Sequence, residues 1–107
     1  MRSLLALALL INALLVTMAV PPVRAADSLT PPWVGVWDCE VATFTFTPTH
    51  YDAGEGPMPI RAATVDDGVW TLSFDDDYRI NLSAVTKTTM EWLSQASGDG
   101  FSCKRLS

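Results

Sequence analysis

Over its second half the chain alternates apolar and polar positions with a period of two, the pattern of strands buried on one side. Val69-Trp70-Thr71-Leu72-Ser73-Phe74 sets Trp70, Leu72 and Phe74 on one face. The run from Tyr78 to Ala84 does the same for Tyr78, Ile80, Leu82 and Ala84, and Thr88 to Trp92 puts Met90 with Trp92. Asp75-Asp76-Asp77 separates the first two and reads as a solvated hairpin tip. These runs predict an antiparallel meander with one apolar face, which the rest of the chain must cover. Ile60 to Val65 predicts a further strand, joined to Val69 through Asp66-Asp67-Gly68, a turn suited to positive φ.

The pattern nearer the start is less regular. Trp33 to Val41 predicts a first strand with Trp37, Cys39 and Val41 toward the core. Phe44 and Phe46 are apolar on the opposite parity, so a bulge or bend is expected near Ala42-Thr43, in one bent strand or between two short ones. Pro48 to Pro59 holds three prolines and two glycines without periodicity, and reads as a long loop and one candidate binding region. Ser94 to Gly100 reads as a second loop. Phe101 to Leu106 predicts the last strand, with Phe101, Cys103 and Arg105 on one face. No helical stripe and no internal repeat is present in this part of the chain. The fold class expected is all-β: a small antiparallel meander closed or nearly closed into a barrel, behind an N-terminal signal segment.

The signal expectation rests on Met1-Arg2, the nearly continuous apolar run Leu4 to Val20, Pro21-Pro22 and then Val23-Arg24-Ala25, which suits cleavage after Ala25. The organisation expected is residues 1–25 as signal peptide, 26–32 as a flexible leader ending in Pro31-Pro32, and 33–107 as a single disulfide-linked, barrel-like domain. Export to the periplasm or extracellular space follows, with no membrane anchor after cleavage. The full chain carries a formal charge of −5. Cleavage removes Arg2 and Arg24 but no acid, so the exported form is more acidic still. An acidic domain has no basic surface with which to displace counterions from nucleic acid. A cationic protein or envelope component suits its charge better.

Cys39 and Cys103 are the only cysteines and lie near opposite ends of the exported chain. A free thiol pair or two metal ligands are alternatives, but the expectation in an oxidising compartment is a disulfide. It would tie the last strand to the first, and a closed sheet has no edges to protect. Arg105 is a candidate to stack on Trp37 by cation–π contact. Of the four tryptophans, Trp33 is the best candidate for an exposed contact surface, because it follows Pro31-Pro32, although packing in the core or at its rim is the first expectation for it.

The sequence holds no catalytic constellation. His50 is the only histidine, and no nucleophile-elbow pattern accompanies it. A cleft between paired carboxylates is hard to build in so short a chain. The Asp66-Asp67 and Asp75-Asp77 clusters lack the spaced ligands and central glycine of a calcium loop. No catalytic residue, metal ligand or cofactor is therefore expected. Asn81-Leu82-Ser83 matches the glycosylation pattern but falls mid-strand.

Two resemblances add to this reading. Gly35-Val36-Trp37 on the first strand, with Arg105 on the last, resembles the Gly-x-Trp and terminal arginine of calycins such as lipocalins. That resemblance implies a barrel around a small apolar ligand, with the arginine packed across the tryptophan. Trp37-Asp38-Cys39-Glu40 and Phe101-Ser102-Cys103-Lys104 resemble the linked cysteine segments of the bacterial c-type lysozyme inhibitors. Ala96-Ser97-Gly98-Asp99-Gly100-Phe101 resembles the Ser-Gly loop with which that family enters the lysozyme cleft. This second resemblance implies a candidate binding loop of Ser94, Ser97, Gly98, Asp99, Phe101 and Lys104. The expected function is a non-enzymatic binding module, of lysozyme-inhibitor type. A calycin-like carrier and a structural envelope protein are the alternatives.

Overall fold

A computed structural model describes residues 30–107. The expected signal segment and most of the expected leader lie outside the described residues. Nine strands follow in order: β1 Gly35–Asp38, β2 Thr43–Phe46, β3 His50–Asp52, β4 Pro57–Pro59, β5 Ala62–Asp66, β6 Val69–Ser73, β7 Arg79–Ser83, β8 Thr89–Ser94 and β9 Gly100–Arg105. They form one antiparallel sheet in the order β4-β3-β2-β1-β9-β8-β7-β6-β5. The sheet curls through 285° into a near-barrel, a shape generally compatible with small β-barrel families.

The two margins of the sheet are consecutive in the chain. β4 and β5 run in the same direction, and only Ile60 and Arg61 separate them. The Ile60 N–H still bonds the Thr49 carbonyl beside β3, while the Arg61 N–H already bonds the Ser73 carbonyl of β6. One continuous segment therefore pairs with β3 along its first half and with β6 along its second. Where it leaves β6, the barrel stays open.

Prolines keep that opening from being filled. The Thr49–Ile60 bond and the Tyr51↔Met58 register turn the Met58 and Ile60 N–H groups toward β3. Positions 57 and 59 then face the free margin, and both are proline, with no N–H to offer another strand. The stretch Pro48 to Pro59, expected to be a loop, is thus largely a β-hairpin. Its short strands fell below the length at which alternation can be read, and its prolines mark a margin strand.

The meander predicted over Val69 to Trp92 is present as β6, β7 and β8, with Leu72↔Ile80 and Leu82↔Trp92 as facing pairs. The Asp67-Gly68 turn has φ of 53° and 82°, the left-handed backbone of a two-residue hairpin. Near the start, two short strands replace a long bent one. The Cys39 N–H bonds the Ala42 carbonyl, and Glu40 takes φ 70°, so the chain reverses between β1 and β2. The reversal turns Val41 outward, 64% exposed, although its parity pointed to the core.

Trp37, Phe46, Leu72, Ile80, Leu82 and Met90 are all buried and fill the barrel interior. Antiparallel alternation gives the barrel two distinct ends. The start of β1, the end of β9 and the Asp67-Gly68 turn share one end, which is plugged. Trp33 lies there 1% exposed, edge-on to Phe46 at 5.8 Å and to Trp70 at 5.9 Å. It is a core residue rather than an exposed anchor, because a turn from Pro31 to Val34 folds it inward. Arg105 locks this plug. Its guanidinium stands 4.2 Å over the Trp37 ring and donates to the carbonyls of Val34 (2.8 Å), Pro32 (2.7 Å) and Lys87 (2.7 Å). The end of the leader, Pro31-Pro32, is held through these bonds. Gly35, at φ 146°, lets the start of β1 approach the last residues: a Cβ there would meet the arginine and, at 2.7 Å, the Ser107 carbonyl oxygen.

Cys39 and Cys103 form the expected disulfide. It crosses one of the short junctions of the sheet. β1 and β9 share only two register pairs, Trp37↔Arg105 and Asp38↔Lys104, whereas β8 and β9 share five.

Candidate functional site

The opposite end of the barrel is open. Four strands deliver aromatic side chains to it: Phe44 from β2, Tyr51 from β3, Trp92 from β8 and Phe101 from β9. Phe74 and Tyr78 flank the three-residue 3-10 turn Asp75–Asp77 across the mouth. The rings are set at steep angles. Phe44 meets Tyr51 at 84° and 5.6 Å, and Trp92 at 58° and 5.2 Å. Phe101 stacks on Trp92 at 5.3 Å.

A half-open cleft of about 370 Å³ lies among Phe44, Tyr51, Glu55, Met58, Tyr78 and Trp92. A second, of about 320 Å³, continues past Met58 and Tyr78 to Phe74, Asp75 and Asp76. The two share Met58 and Tyr78 as lining residues, so they are neighbours at the mouth. Their walls come from the β3–β4 hairpin on one side and the β6–β7 turn on the other, the region where the prolines end the sheet. Concave, mostly apolar sites with a few polar groups are the usual form of a ligand seat.

One of those polar groups is unfilled. Trp92 is 7% exposed, and its indole N–H has no hydrogen-bond partner. An unpaired buried donor costs about 1–3 kcal/mol. The Tyr51 side chain, 2% exposed, makes no hydrogen bond to another described side chain or carbonyl. Burial pushes the Tyr51 phenol well above its ordinary range, the neighbouring Tyr78 phenol adds to the rise, and the Trp92 indole N–H partly opposes it. That indole faces the phenol without reaching hydrogen-bond geometry. At neutral pH the hydroxyl therefore keeps its proton and stays a donor.

A pH test follows. A raised phenol pKa leaves stability intact below the unfolded value near 10 and removes it as pH climbs toward the folded value. Wild-type stability should fall by up to about 1.4 kcal/mol per pH unit above that point. Tyr51→Phe should fall less steeply in denaturant titrations run on both sides of pH ~10. Parallel curves would contradict the burial of this hydroxyl.

The rim is acidic. Asp52 and Glu55 sit on the β3–β4 hairpin, Asp75 to Asp77 on the turn opposite, and Asp99 on the β8–β9 turn. Asp52 is tied down, accepting the Gly54 N–H at 2.7 Å and the Gly56 N–H at 3.2 Å. Asp75 pairs with Arg61 at 2.9 Å, and that hydrogen bond, then the guanidinium charge, holds its carboxyl below the usual range. Both partners are exposed, so the pair adds little stability. No lysine, arginine or histidine lines either cleft.

The residues singled out from the sequence are placed as follows. Ser94 is buried at the base of the β8–β9 turn, where its Oγ accepts the Ser97 N–H. Ser97 Oγ accepts the Asp99 N–H, and Gly98 takes φ 80°. Asp99 is exposed, and Phe101 is half-buried against Trp92. Lys104 lies further along β9, opposite Asp38 and Thr89. Asp99 and Phe101 thus border the mouth, while Lys104 does not. His50 begins β3 at the plugged end, exposed, with Nδ1 2.8 Å from Thr49 Oγ1, and neither cleft includes it. Asn81 is engaged on the sheet, donating to Thr71 Oγ1 at 3.0 Å.

Sequence reasoning missed Phe44, Tyr51, Glu55 and Met58 as neighbours. The available signal was the Pro-x-Pro at 57–59, which marks where a sheet must stop. Among the described residues, no three of His, Cys, Asp and Glu are grouped so as to hold a metal ion. In comparisons with known proteins, no family model, no curated protein and no solved structure matches this chain.

Proposed function

We propose that this chain is an exported, non-enzymatic binding module whose seat is the open mouth of the barrel. One observation carries the reading: the interior is filled from the plugged end upward, yet the mouth keeps a groove among Phe44, Tyr51, Met58, Tyr78 and Trp92. A lipocalin-like enclosed cavity is not what supports it. The bound group enters from the side that the prolines leave open and rests on Phe44, Tyr51, Met58 and Trp92.

An environment-sensitive apolar fluorophore tests this. It should bind the oxidised protein saturably. Met58→Trp fills the groove from its rim, where Met58 is only partly buried. That variant should weaken binding by roughly tenfold or more while leaving Tm within a few degrees. Unchanged binding in Met58→Trp would place the seat elsewhere.

A second reading, inhibition of a cationic c-type lysozyme, draws on the acidic rim and on the ordered Ser97-Gly98-Asp99 turn beside it. On this reading Asp99→Ala reduces inhibition of lysozyme by several-fold without moving Tm, because the Asp99 carboxylate is exposed. No inhibition by the wild-type protein, or none lost in Asp99→Ala, would set it aside.

A further inference from the structure

We propose that the outer edge of β5 pairs with the same edge of a second copy of this chain, antiparallel about Thr64. The proposal goes beyond the mouth and does not depend on it. It starts from where β5 lies. The segment that carries β4 and β5 leaves β3 at the Thr49 carbonyl, and from Ala62 to Asp66 it is paired with β6 alone. All residues of β5 are exposed. Pro57 and Pro59 close the β4 part of this margin to another strand, but the β5 part holds no proline.

Backbone direction supplies the first argument. The two-residue Asp67-Gly68 turn makes Asp66 and Val69 a hydrogen-bonded pair. Alternation then points the N–H and C=O groups of Ala62, Thr64 and Asp66 at β6. Those of Ala63 and Val65 point away from it, and no described group bonds their N–H. An edge with outward groups at two alternate positions is complementary to itself. A half-turn about Thr64 sets Ala63 of each copy opposite Val65 of the other, and each such pair exchanges both of its backbone bonds.

Side chains and charge agree with that register. Ala63 and Val65 stand on the same face as their partners Leu72 and Trp70. Leu72 is fully buried, yet Val65 is 53% exposed, because the sheet does not continue beside it. In the pair, Val65 of each copy lies against Ala63 of the other, and Thr64 meets Thr64 on the opposite face. Charge selects the direction. Arg61 precedes β5, and Asp66-Asp67 end it. Arg61 is exposed even while it pairs with Asp75, and no described cation forms an ion pair with Asp66 or Asp67. Antiparallel pairing brings the Arg61 end of each strand to the Asp66-Asp67 end of the other. Parallel pairing would set like charges together.

The edge is short, so the association is weak. Sedimentation equilibrium of the oxidised protein should show monomer and dimer in exchange at roughly 0.1–1 mM. Over that range the amide resonances of Ala63 and Val65 should shift, and those of Thr64 and Asp66, already turned to β6, should move less. Ala63→Pro removes an outward N–H and should weaken the dimer by roughly tenfold or more. Asp66→Lys should weaken it about threefold, because it sets a lysine against Arg61 of the other copy. It also lowers the net negative charge, so association governed by overall charge would strengthen instead. Neither variant alters the N-terminal apolar run, so association through that run would be equal in all three proteins. A protein that stays monomeric up to about 1 mM overturns the proposal and leaves an extended segment of another protein as the occupant of the edge. A dimer that forms without shifts at Ala63 and Val65, or that Asp66→Lys leaves unchanged or strengthens, overturns it as well. If Ala63→Pro does not fold, the wild-type amide shifts and Asp66→Lys decide the matter between them.

Discussion

Replacing both cysteines, in the double variant Cys39→Ala/Cys103→Ala, should cost about 4 kcal/mol of stability and lower Tm by roughly 20 °C. The bond spans a sequence separation of 64, so its loss frees most of the domain in the unfolded state. Its position makes the folded state vulnerable too. β1 and β9 share two register pairs, extended by the backbone bonds of Val36 with Leu106 and Ser107, and both cysteines are buried there. The loss should appear first at this junction. Amide exchange in the variant should accelerate at Val36 and Leu106, which bond one another's end of the sheet, before it accelerates in β6 and β7. A Tm change of only a few degrees, or uniform acceleration, would mean that the ladder closes the barrel without the bridge.

The second large effect is expected at Trp33. Trp33→Ala removes the plug and should cost about 3–5 kcal/mol, because the ring is fully buried and its neighbours Phe46 and Trp70 belong to separate strands that cannot both collapse inward. The backbone contribution survives, since the Trp37 indole N–H donates to the Trp33 carbonyl at 3.0 Å. Trp33→Phe should be much milder, near 1–2 kcal/mol. It keeps most of the ring, and the indole nitrogen it removes is buried without a partner. Chemical denaturation of the two variants measures both. Equal losses would show that the Trp33 nitrogen is engaged after all, and a negligible loss in Trp33→Ala would contradict the plugged end.

The parts legible in the sequence are those where alternation runs five residues or more. β6, β7 and β8 were read in place, and so was the Asp67-Gly68 turn, because only such residues relax readily into positive φ. The disulfide was legible because two cysteines in a chain expected to be exported have few other fates. Three features were not. β3 and β4 have three residues each, too few for a period. Val41 was assigned by parity to the core, but the reversal after Cys39 changes the count by turning the chain. The place of Trp33 was open between core packing, the first expectation, and exposure, because Pro31-Pro32 before it allow either. Arg105, far along the chain, grips the Pro32 carbonyl and so fixes that segment inward.

The mouth was legible only in fragments. Tyr78 and Trp92 were placed on apolar faces, and Pro48 to Pro59 was marked as a binding region. What joins them is the curl of the sheet, which brings residues of β2, β3 and β8 together across the open margin. Closure of this kind depends on contacts between strands far apart in sequence, and no local pattern encodes it.

The barrel is filled at one end and receptive at the other, and indole N–H resonances measure that asymmetry directly. Titration with the apolar fluorophore should move the Trp92 indole signal and leave those of Trp33 and Trp37, buried at the plugged end, where they are. Movement of Trp33 or Trp37 with Trp92 unmoved would contradict it.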